Sequence, residues 1–328
     1  MTQENPKFPD SAQAKKAIER LNGIEWPNFT DQTQVVDFIK DFEKQYFKDL
    51  EALPNVFKFK KPSEFVLPLF RVREFDPIAN KDLISEYSYP PSNIAKIGRC
   101  NFPKRPVFYC SNNPMVALLE TIRDGEYKDK TFCISKWRIN PSEQEFVLEH
   151  FLRSDLPEDN PFKILVDAER SQLREEFKEF WNDEIEHGFE LIQEFLHKAF
   201  ISDKNYGLSA TLAHRTIFAP HNMATDILIY PSVQSRFKGV NMAISPNFSD
   251  QQMHAQRMYL VKVNNVDLDK DEFKLTFTKH YAVVEKNLIL WKKITPENQE
   301  YRQFLLEDFQ RYLGEDFDFV FNENNEEP

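Results

Sequence analysis

The chain has 328 residues, and its 53 Asp and Glu outnumber its 42 Lys and Arg, giving a net charge of −11. This balance argues against general nucleic-acid binding, which depends on cations meeting phosphates. A 41% apolar content excludes disorder of most of the chain, and every apolar run is far shorter than the ~20 residues of a membrane span.

The first 60 residues predict a helical extension. Ala12–Leu21 is amphipathic, and Asp31 can cap a second helix whose aromatic residues recur at helical spacing. The first twenty residues also lack the apolar segment of a secretory signal. With an odd number of cysteines (Cys100, Cys110 and Cys133), we expect reduced thiols and a soluble, cytoplasmic protein without a membrane partner.

Residues 61–295 predict one domain that mixes strands and helices. Strand patterns occur at Phe65–Val72, Pro106–Cys110 and Thr131–Ile139, and Asn113-Pro114 is a typical helix start. The strand patterns return at Asp226–Tyr230, Met258–Val263 and across Phe273–Ile294. The expected fold class is therefore α+β.

A different pattern separates these two sets of strands. Leu165–Phe200 predicts one long charged amphipathic helix, so residues of about 141–225 are expected to form a helical insertion. We expect this insertion to pack beside the core with part of its surface near a cleft. Residues 296–328 predict a C-terminal helix, capped by Thr295 and extending to about Leu313, and a frayed tail.

The most informative segment carries no acidic residue at all. The 33 residues between Glu86 and Glu120 hold four cations: Lys96, Arg99, Lys104 and Arg105. Such a local reversal of charge is what an anion-binding pocket requires, although a solvated basic loop has the same composition. Glu120 lies on the helix face opposite Met115 and Leu118, so it lines either a cleft or plain surface.

Motifs for metal and phosphate chemistry are weak. Glu184-x-x-His187 and Glu194-x-x-His197 each match half of a di-iron site, but on one helix they are separated by roughly 15 Å. No metal site is therefore expected. The HExxH, GxSxG, P-loop and GxGxxG patterns do not occur.

Six short segments in order resemble the RES domain family. They are LFRVR at 69–73, GRCN at 98–101, VFYCS at 107–111, ALLE at 117–120, IYPSV at 229–233 and NMA at 241–243. The resemblance covers about a third of the chain. It implies a compact mixed β-sheet core similar to that of ADP-ribosyltransferase toxins. The residues at 1–60 and about 141–225 are additional to compact members of that family.

The resemblance also implies a function and a set of site residues. It points to an NAD⁺-consuming enzyme that cleaves the nicotinamide–ribose bond, as a glycohydrolase or by phosphorolysis. NAD⁺ is then the substrate, and an antitoxin and a second copy of the chain are possible partners. The implied catalytic residues are Glu120, Arg99 and Ser232, and the implied binding residues are Arg71, Tyr109 and Asn241. ADP-ribosyl transfer to a macromolecule and a non-catalytic nucleotide- or partner-binding module remain open alternatives.

Overall fold

The computed structural model describes residues 8–310 except for several short gaps. These gaps are 27–28, 31–33, 51–56, 123–124, 153–155, 157, 159, 161, 177, 180, 221–223, 271 and 296. Part of what the sequence predicted lies outside the described residues: the cap Asp31, Phe177 and Phe180 of the long helix, Leu313 and the tail.

The described chain contains both helices and strands along its length. The helices are α1 (Ser11–Asn22), α2 (Val35–Tyr46), α3 (Pro114–Thr121), α4 (Lys163–Glu176), α5 (Asp183–Ser202), α6 (Gly207–Ile217), α7 (Pro246–Gln252) and α8 (Gln299–Phe309). The strands are β1 (Phe57–Lys60), β2 (Leu69–Glu74), β3 (Phe108–Ser111), β4 (Thr131–Ile139), β5 (Phe146–His150), β6 (Ile227–Pro231), β7 (Val240–Ile244), β8 (Met253–Asp267), β9 (Glu272–Glu285) and β10 (Leu288–Lys293). None of the helices in this part of the chain combines the length and apolar character needed to cross a membrane.

The strands form one mixed sheet in the order β1-β5-β6-β7-β3-β2-β4-β8-β9-β10. Only β5 and β6 pair in parallel. The contact between β3 and β2 is the narrowest in the sheet, because a single residue pair, Phe70 with Ser111, joins the two strands. We call this contact the seam. It divides the sheet into a half that contains β6 and β7 and a half that contains β4 and β8.

Helices cover one face of this sheet in two separate groups. The first group, α1, α2, α5 and α6, packs with residues of β6 and β7 into one apolar cluster. The second group, α3 and α8, packs on β2, β4 and β8 into another. Since Phe70 is in register with Ser111, both groups share a face, and the ends of β3 and β7 lie between them. The opposite face carries a third apolar cluster with α7 and the long loops.

The α+β fold class is confirmed, and β4 has the bounds predicted from the sequence. The single long helix is wrong: Asn182 accepts hydrogen bonds from the main-chain N–H groups of Glu184 and Ile185, so a new helix begins there. The segment of about 141–225 also begins with a strand, β5, that pairs with β1 and β6. The domain boundaries at 60, 61–295 and 296 stay predictions.

The C-terminal helix begins later than predicted. Asn298, not Thr295, caps it by accepting a hydrogen bond from the N–H of Tyr301. Pro296, expected in the first turn, lies outside the described residues. Four further elements, β1, β7, α6 and α7, have no counterpart in the sequence prediction.

Candidate active site

Glu120 lies near the end of α3, in the gap between the two groups of helices. Asn113 caps α3 by accepting hydrogen bonds from the N–H groups of Met115 and Val116, and Pro114 occupies the first turn, as predicted. Met115 and Leu118 then pack into the core, whereas Glu120 is half-buried. The open choice for Glu120 is resolved: it faces other residues and is not plain surface.

A turn after β6 brings Ser232 to Glu120 across 112 residues of sequence. The Ser232 hydroxyl donates to Oε1 of Glu120 at 2.7 Å. Ser232 also closes its own turn, because its N–H donates to the carbonyl of Gly239. A Cβ on Gly239 would lie 2.5 Å from a methyl group of Val116, so only glycine lets the turn approach α3 this closely.

Asn241 supplies a second donor to the same carboxylate oxygen. Its Nδ2 donates to Oε1 of Glu120 at 2.7 Å, and its Oδ1 accepts from the hydroxyl of Ser111 at 2.6 Å. Ser111, Ser232 and Asn241 are all buried. Within the described part of the chain, Oε2 of Glu120 has no hydrogen-bond partner. One oxygen is therefore fixed and the other is available to a ligand.

Tyr109 fixes the turn at residues 98–101. Its hydroxyl accepts from the N–H of Cys100 at 2.8 Å and donates to Oδ1 of Asn101 at 2.9 Å. A Cβ on Gly98 would lie 2.9 Å from this hydroxyl, so the tyrosine packs closely against the turn. Burial raises the pKa of Tyr109 well above its usual value, so it remains a neutral phenol.

Arg99 points from this turn to the end of α5. Its Nη1 donates to the carbonyl oxygens of Phe200 and, at 3.0 Å, Ile201. Its guanidinium also lies 5.4 Å from the ring centre of Tyr206. Tyr230 is buried, and this burial raises its pKa well above the usual value. The charges of Arg99 and Glu120 both act on Tyr230 as well. Tyr230 is thus within electrostatic range of both the cation and the carboxylate.

Arg71 occupies a different position, on β2 at the seam. It shares its strand face with Leu69, on the side away from Tyr109 and Asn241. Its Nη1 donates to the main-chain carbonyl of Tyr109 at 2.8 Å, so it crosses the seam. Its buried Nε has no hydrogen-bond partner among the described residues. Burial, followed by the charge of Arg73, lowers the pKa of Arg71 to about 10, so it stays charged at neutral pH.

The six residues proposed from the sequence therefore form a group of three in direct contact, a separate tyrosine and two outlying cations. Glu120, Ser232 and Asn241 are in direct contact. Tyr109 contacts the turn that carries Arg99, and Arg71 contacts the main chain of Tyr109. Over the ranges that the structure covers, neither Arg71 nor Arg99 has a carboxylate within ion-pair distance. Arg99, the one of these two arginines that belongs to the acid-free segment, is therefore not neutralised by a carboxylate of the described residues.

Two contributors escaped the sequence reasoning. Ser111 orients the amide of Asn241, and Asn101 holds Tyr109. The signal for Ser111 was present, because residues two apart on a strand share a face and Ser111 follows Tyr109 by two. Asn101 belongs to the GRCN segment, but its irregular turn has no helix or strand periodicity that would single it out.

A concave region borders the α5–α6 connection that Arg99 contacts. It has a volume of about 470 Å³ and opens between α1, α5 and α6, with Trp26, Phe195 and Leu208 among its walls. Its lining contains none of the six residues, and its charged side chains include both signs. We take Glu120 as the centre of the candidate site, because a carboxylate held by two buried donors is the more specific arrangement.

Metal and thiol chemistry find no support in the described ranges. No group of three or more His, Cys, Asp or Glu side chains there is arranged to hold a metal ion. Cys100, Cys110 and Cys133 are buried free thiols. Burial raises the pKa of the Cys100 thiol to about 12, which makes it a poor nucleophile at neutral pH.

Comparison with known proteins identifies one matching family. The family model for the RES domain matches residues 68–268, which is more than half of the chain. A search of curated proteins found no match.

Proposed function

Because the chain belongs to the RES domain family, which is associated with NAD-related enzymes and toxin–antitoxin systems, we propose that it consumes NAD⁺ by cleaving the nicotinamide–ribose bond. The observation that carries this proposal is the state of Glu120. Two neutral donors hold its Oε1, while its Oε2 has no partner in the described structure. This is a preorganised negative charge facing a gap between helices.

Glu120 supplies what this cleavage needs. When the bond breaks, its electron pair leaves on the nicotinamide nitrogen, so the base departs neutral and positive charge develops on the ribose. A carboxylate already held in place stabilises such an oxocarbenium-like transition state without reorganising. A second carboxylate is not required, because the leaving group begins with a positive charge. Water, losing one proton, or phosphate then bonds to the ribose carbon.

Arg99 matches the other end of the substrate. NAD⁺ carries a diphosphate with two negative charges, and guanidinium groups bind phosphate oxygens through paired N–H donors. Arg99 keeps Nε and Nη2 free of hydrogen-bond partners in the described structure, and Arg71 keeps Nε free. Both cations are also without a neutralising carboxylate there. We propose that Arg99 binds the diphosphate and that Ser232 and Asn241 orient the nicotinamide ribose. Arg71, on the other face of the sheet, supports the main chain of Tyr109, and Tyr109 supports the turn that carries Arg99.

Partners follow from the family association. Toxins of toxin–antitoxin systems are held inactive by a cognate protein, so the partner we propose is an antitoxin that covers the gap at Glu120. The acceptor of ADP-ribose is decided by experiment. Hydrolysis, phosphorolysis and transfer to a protein give products of different mass.

The test is turnover of NAD⁺ by the purified protein, with and without inorganic phosphate, with products resolved by mass spectrometry. We expect loss of NAD⁺ and release of nicotinamide. Glu120→Gln keeps the shape and removes the charge, so turnover should fall by roughly 10²–10³. Its affinity for ADP-ribose, measured by calorimetry, should stay within about threefold of the wild-type value, because the diphosphate contacts are untouched.

Glu126→Gln is the matched control. Glu126 is exposed and follows α3 closely, so the same change of charge there should leave turnover unaltered. Near-normal turnover in Glu120→Gln would contradict the assigned role. A wild-type protein that binds ADP-ribose and leaves NAD⁺ intact would instead support the non-catalytic binding module.

A further inference from the structure

Arg99 is held by residues that lie far from it in sequence. Its Nη1 donates to the last carbonyls of α5, those of Phe200 and Ile201. Its guanidinium carbon also lies 5.9 Å from the ring centre of Phe200 and 5.4 Å from that of Tyr206. A helix C-terminus carries partial negative charge, so it is a favourable partner for a cation.

This contact uses only part of the guanidinium. In the described structure, Nε and Nη2 of Arg99 have no hydrogen-bond partner, and neither atom is fully buried. A guanidinium is planar, so holding Nη1 on two carbonyl oxygens, with two rings near the guanidinium carbon, restricts the direction of the remaining donors. The free edge of Arg99 is thus preoriented for a planar anion such as a phosphate.

The segment that joins α5 to α6, residues 200–206, is itself firmly built; we call it the α5–α6 corner. Asp203 accepts hydrogen bonds from the N–H of Asn205 and from both the N–H and the hydroxyl of Ser209. Tyr206 adopts a left-handed conformation with φ of 60°. Bulky residues rarely adopt this conformation, and it persists only where the surroundings enforce it.

We propose that the α5–α6 corner is a positioning element for substrate binding and that Tyr206 is its principal side chain. Tyr206 acts through Arg99: its ring holds the guanidinium in the orientation that meets the diphosphate. The inference rests on the proposed function and adds to it a residue outside the motifs that resemble the family. It also links the segment between the Glu120 and Ser232 motifs to affinity for NAD⁺.

The test is a comparison of Tyr206 variants by their steady-state constants. Asn and Gly both tolerate the left-handed conformation, so Tyr206→Asn and Tyr206→Gly remove the ring without straining the backbone. We expect each to raise the KM for NAD⁺ by about five- to tenfold, the range of a partly desolvated cation–π contact. The kcat should change less than about twofold, and Tyr206→Phe should restore the wild-type KM.

A double-mutant cycle with Arg99→Ala separates positioning from a general structural effect. If Tyr206 acts through Arg99, adding Tyr206→Asn to Arg99→Ala should change the KM by less than about twofold. The same ratios are expected for the Kd of ADP-ribose measured by calorimetry, which needs no turnover. Thermal unfolding of each variant checks that the fold is retained.

Two results would overturn the inference. One is a KM and a Kd in both ring-removing variants equal to those of the wild type. The other is an effect of Tyr206→Asn that is as large in the Arg99→Ala background as in the wild type. Failure of the wild type to consume NAD⁺ overturns the proposed function alone, because the Kd ratios for ADP-ribose still decide the role of Tyr206.

Discussion

At the scale of single residues, the site is defined by a chain of donors that ends on one carboxylate oxygen. Ser111 donates to Asn241, and Asn241 and Ser232 both donate to Oε1 of Glu120. Because Asn241 presents its oxygen to Ser111, its amide can face Glu120 only with the NH₂ group. Replacing the amide nitrogen of Asn241 by oxygen, as in aspartate, would therefore put an acceptor where a donor now faces Glu120.

Asn241→Asp tests this reading. The substitution places a carboxylate oxygen where Nδ2 now donates to Glu120, while Ser111 can still donate to the other oxygen. Two like charges at this distance repel, and a buried carboxylate lacks a compensating cation. We expect NAD⁺ turnover to fall at least about tenfold and the free energy of unfolding to fall by about 1–3 kcal/mol.

The control is the same change at Asn113. This residue caps α3 by accepting hydrogen bonds through its side-chain oxygen, and Asp is an equally good cap. Asn113→Asp should keep both turnover and stability near wild-type values in denaturant titrations. Equal losses in both variants would contradict the assigned orientation of the Asn241 amide.

At the scale of elements, the position of α5 depends on its crossing with α1. These two helices make the most extensive helix–helix contact in the described chain. Gly188 of α5 lies at the crossing, where a Cβ would stand 2.2 Å from the carbonyl oxygen of Pro9 and 2.7 Å from the main chain of Asp10. The crossing therefore helps to fix the position of α5. Since α5 carries the carbonyls that hold Arg99, their position depends on the crossing as well.

We expect Gly188→Ala to lower the free energy of unfolding by about 1–3 kcal/mol, because backbone atoms that cannot rotate away must shift to admit the methyl group. Gly23→Ala is the matched control. Its Cβ would lie 3.4 Å from its nearest neighbour, and its φ of −83° suits any residue. Urea unfolding should show a much smaller change there, and a Gly188→Ala variant as stable as Gly23→Ala would refute the tight crossing.

At the scale of the whole molecule, α8 is tied to the sheet by a buried cluster of charges. Asp308 contacts Lys136 of β4 at 2.5 Å and Arg257 of β8 at 2.8 Å, and all three side chains are nearly inaccessible. Tyr259 also donates its hydroxyl to Asp308 at 2.6 Å. One carboxylate from the C-terminal helix thus forms ion pairs with cations on two adjacent strands.

Removing this carboxylate should be costly. Asp308→Ala leaves Lys136 and Arg257 buried without their main counter-charge, so we expect a loss of about 3–5 kcal/mol in the free energy of unfolding. Glu307→Ala removes a neighbouring carboxylate from Arg257, but Glu307 is 45% exposed, and its loss should cost about 1 kcal/mol or less. Comparable losses in the two variants would show that Asp308 does not hold the cluster together.

The sequence predicted those elements whose pattern is local. The aromatic and β-branched residues of β4 and the Asn113-Pro114 start of α3 were sufficient to place both elements. Strand β7 was missed because Asn241 interrupts its short apolar sequence, whereas β6 begins as an unbroken apolar run. Strand β1 was missed because its sequence, FKFK, is too short to establish an alternation and contains no apolar run.

The candidate site was predictable in its residue types and less so in its contacts. The acid-free segment and the ordered motifs indicated Glu120, Ser232 and Asn241 before the fold was known. The partners of Arg99 were not predictable, because they are main-chain carbonyls of α5, about 100 residues away. Main-chain acceptors carry no sequence signal, and the side chain that Arg99 meets, Tyr206, lies outside every motif.

The seam between β2 and β3 is the place where the two halves of the sheet are joined by the fewest paired residues. Neighbouring strands elsewhere share at least three residue pairs, whereas Phe70 and Ser111 alone connect these two. The side chain of Arg71 adds one hydrogen bond across the seam, to the main-chain carbonyl of Tyr109. The narrowest pairing in the sheet therefore lies directly beside Ser111 and Asn241, the two residues whose hydrogen bonds lead to the carboxylate of Glu120.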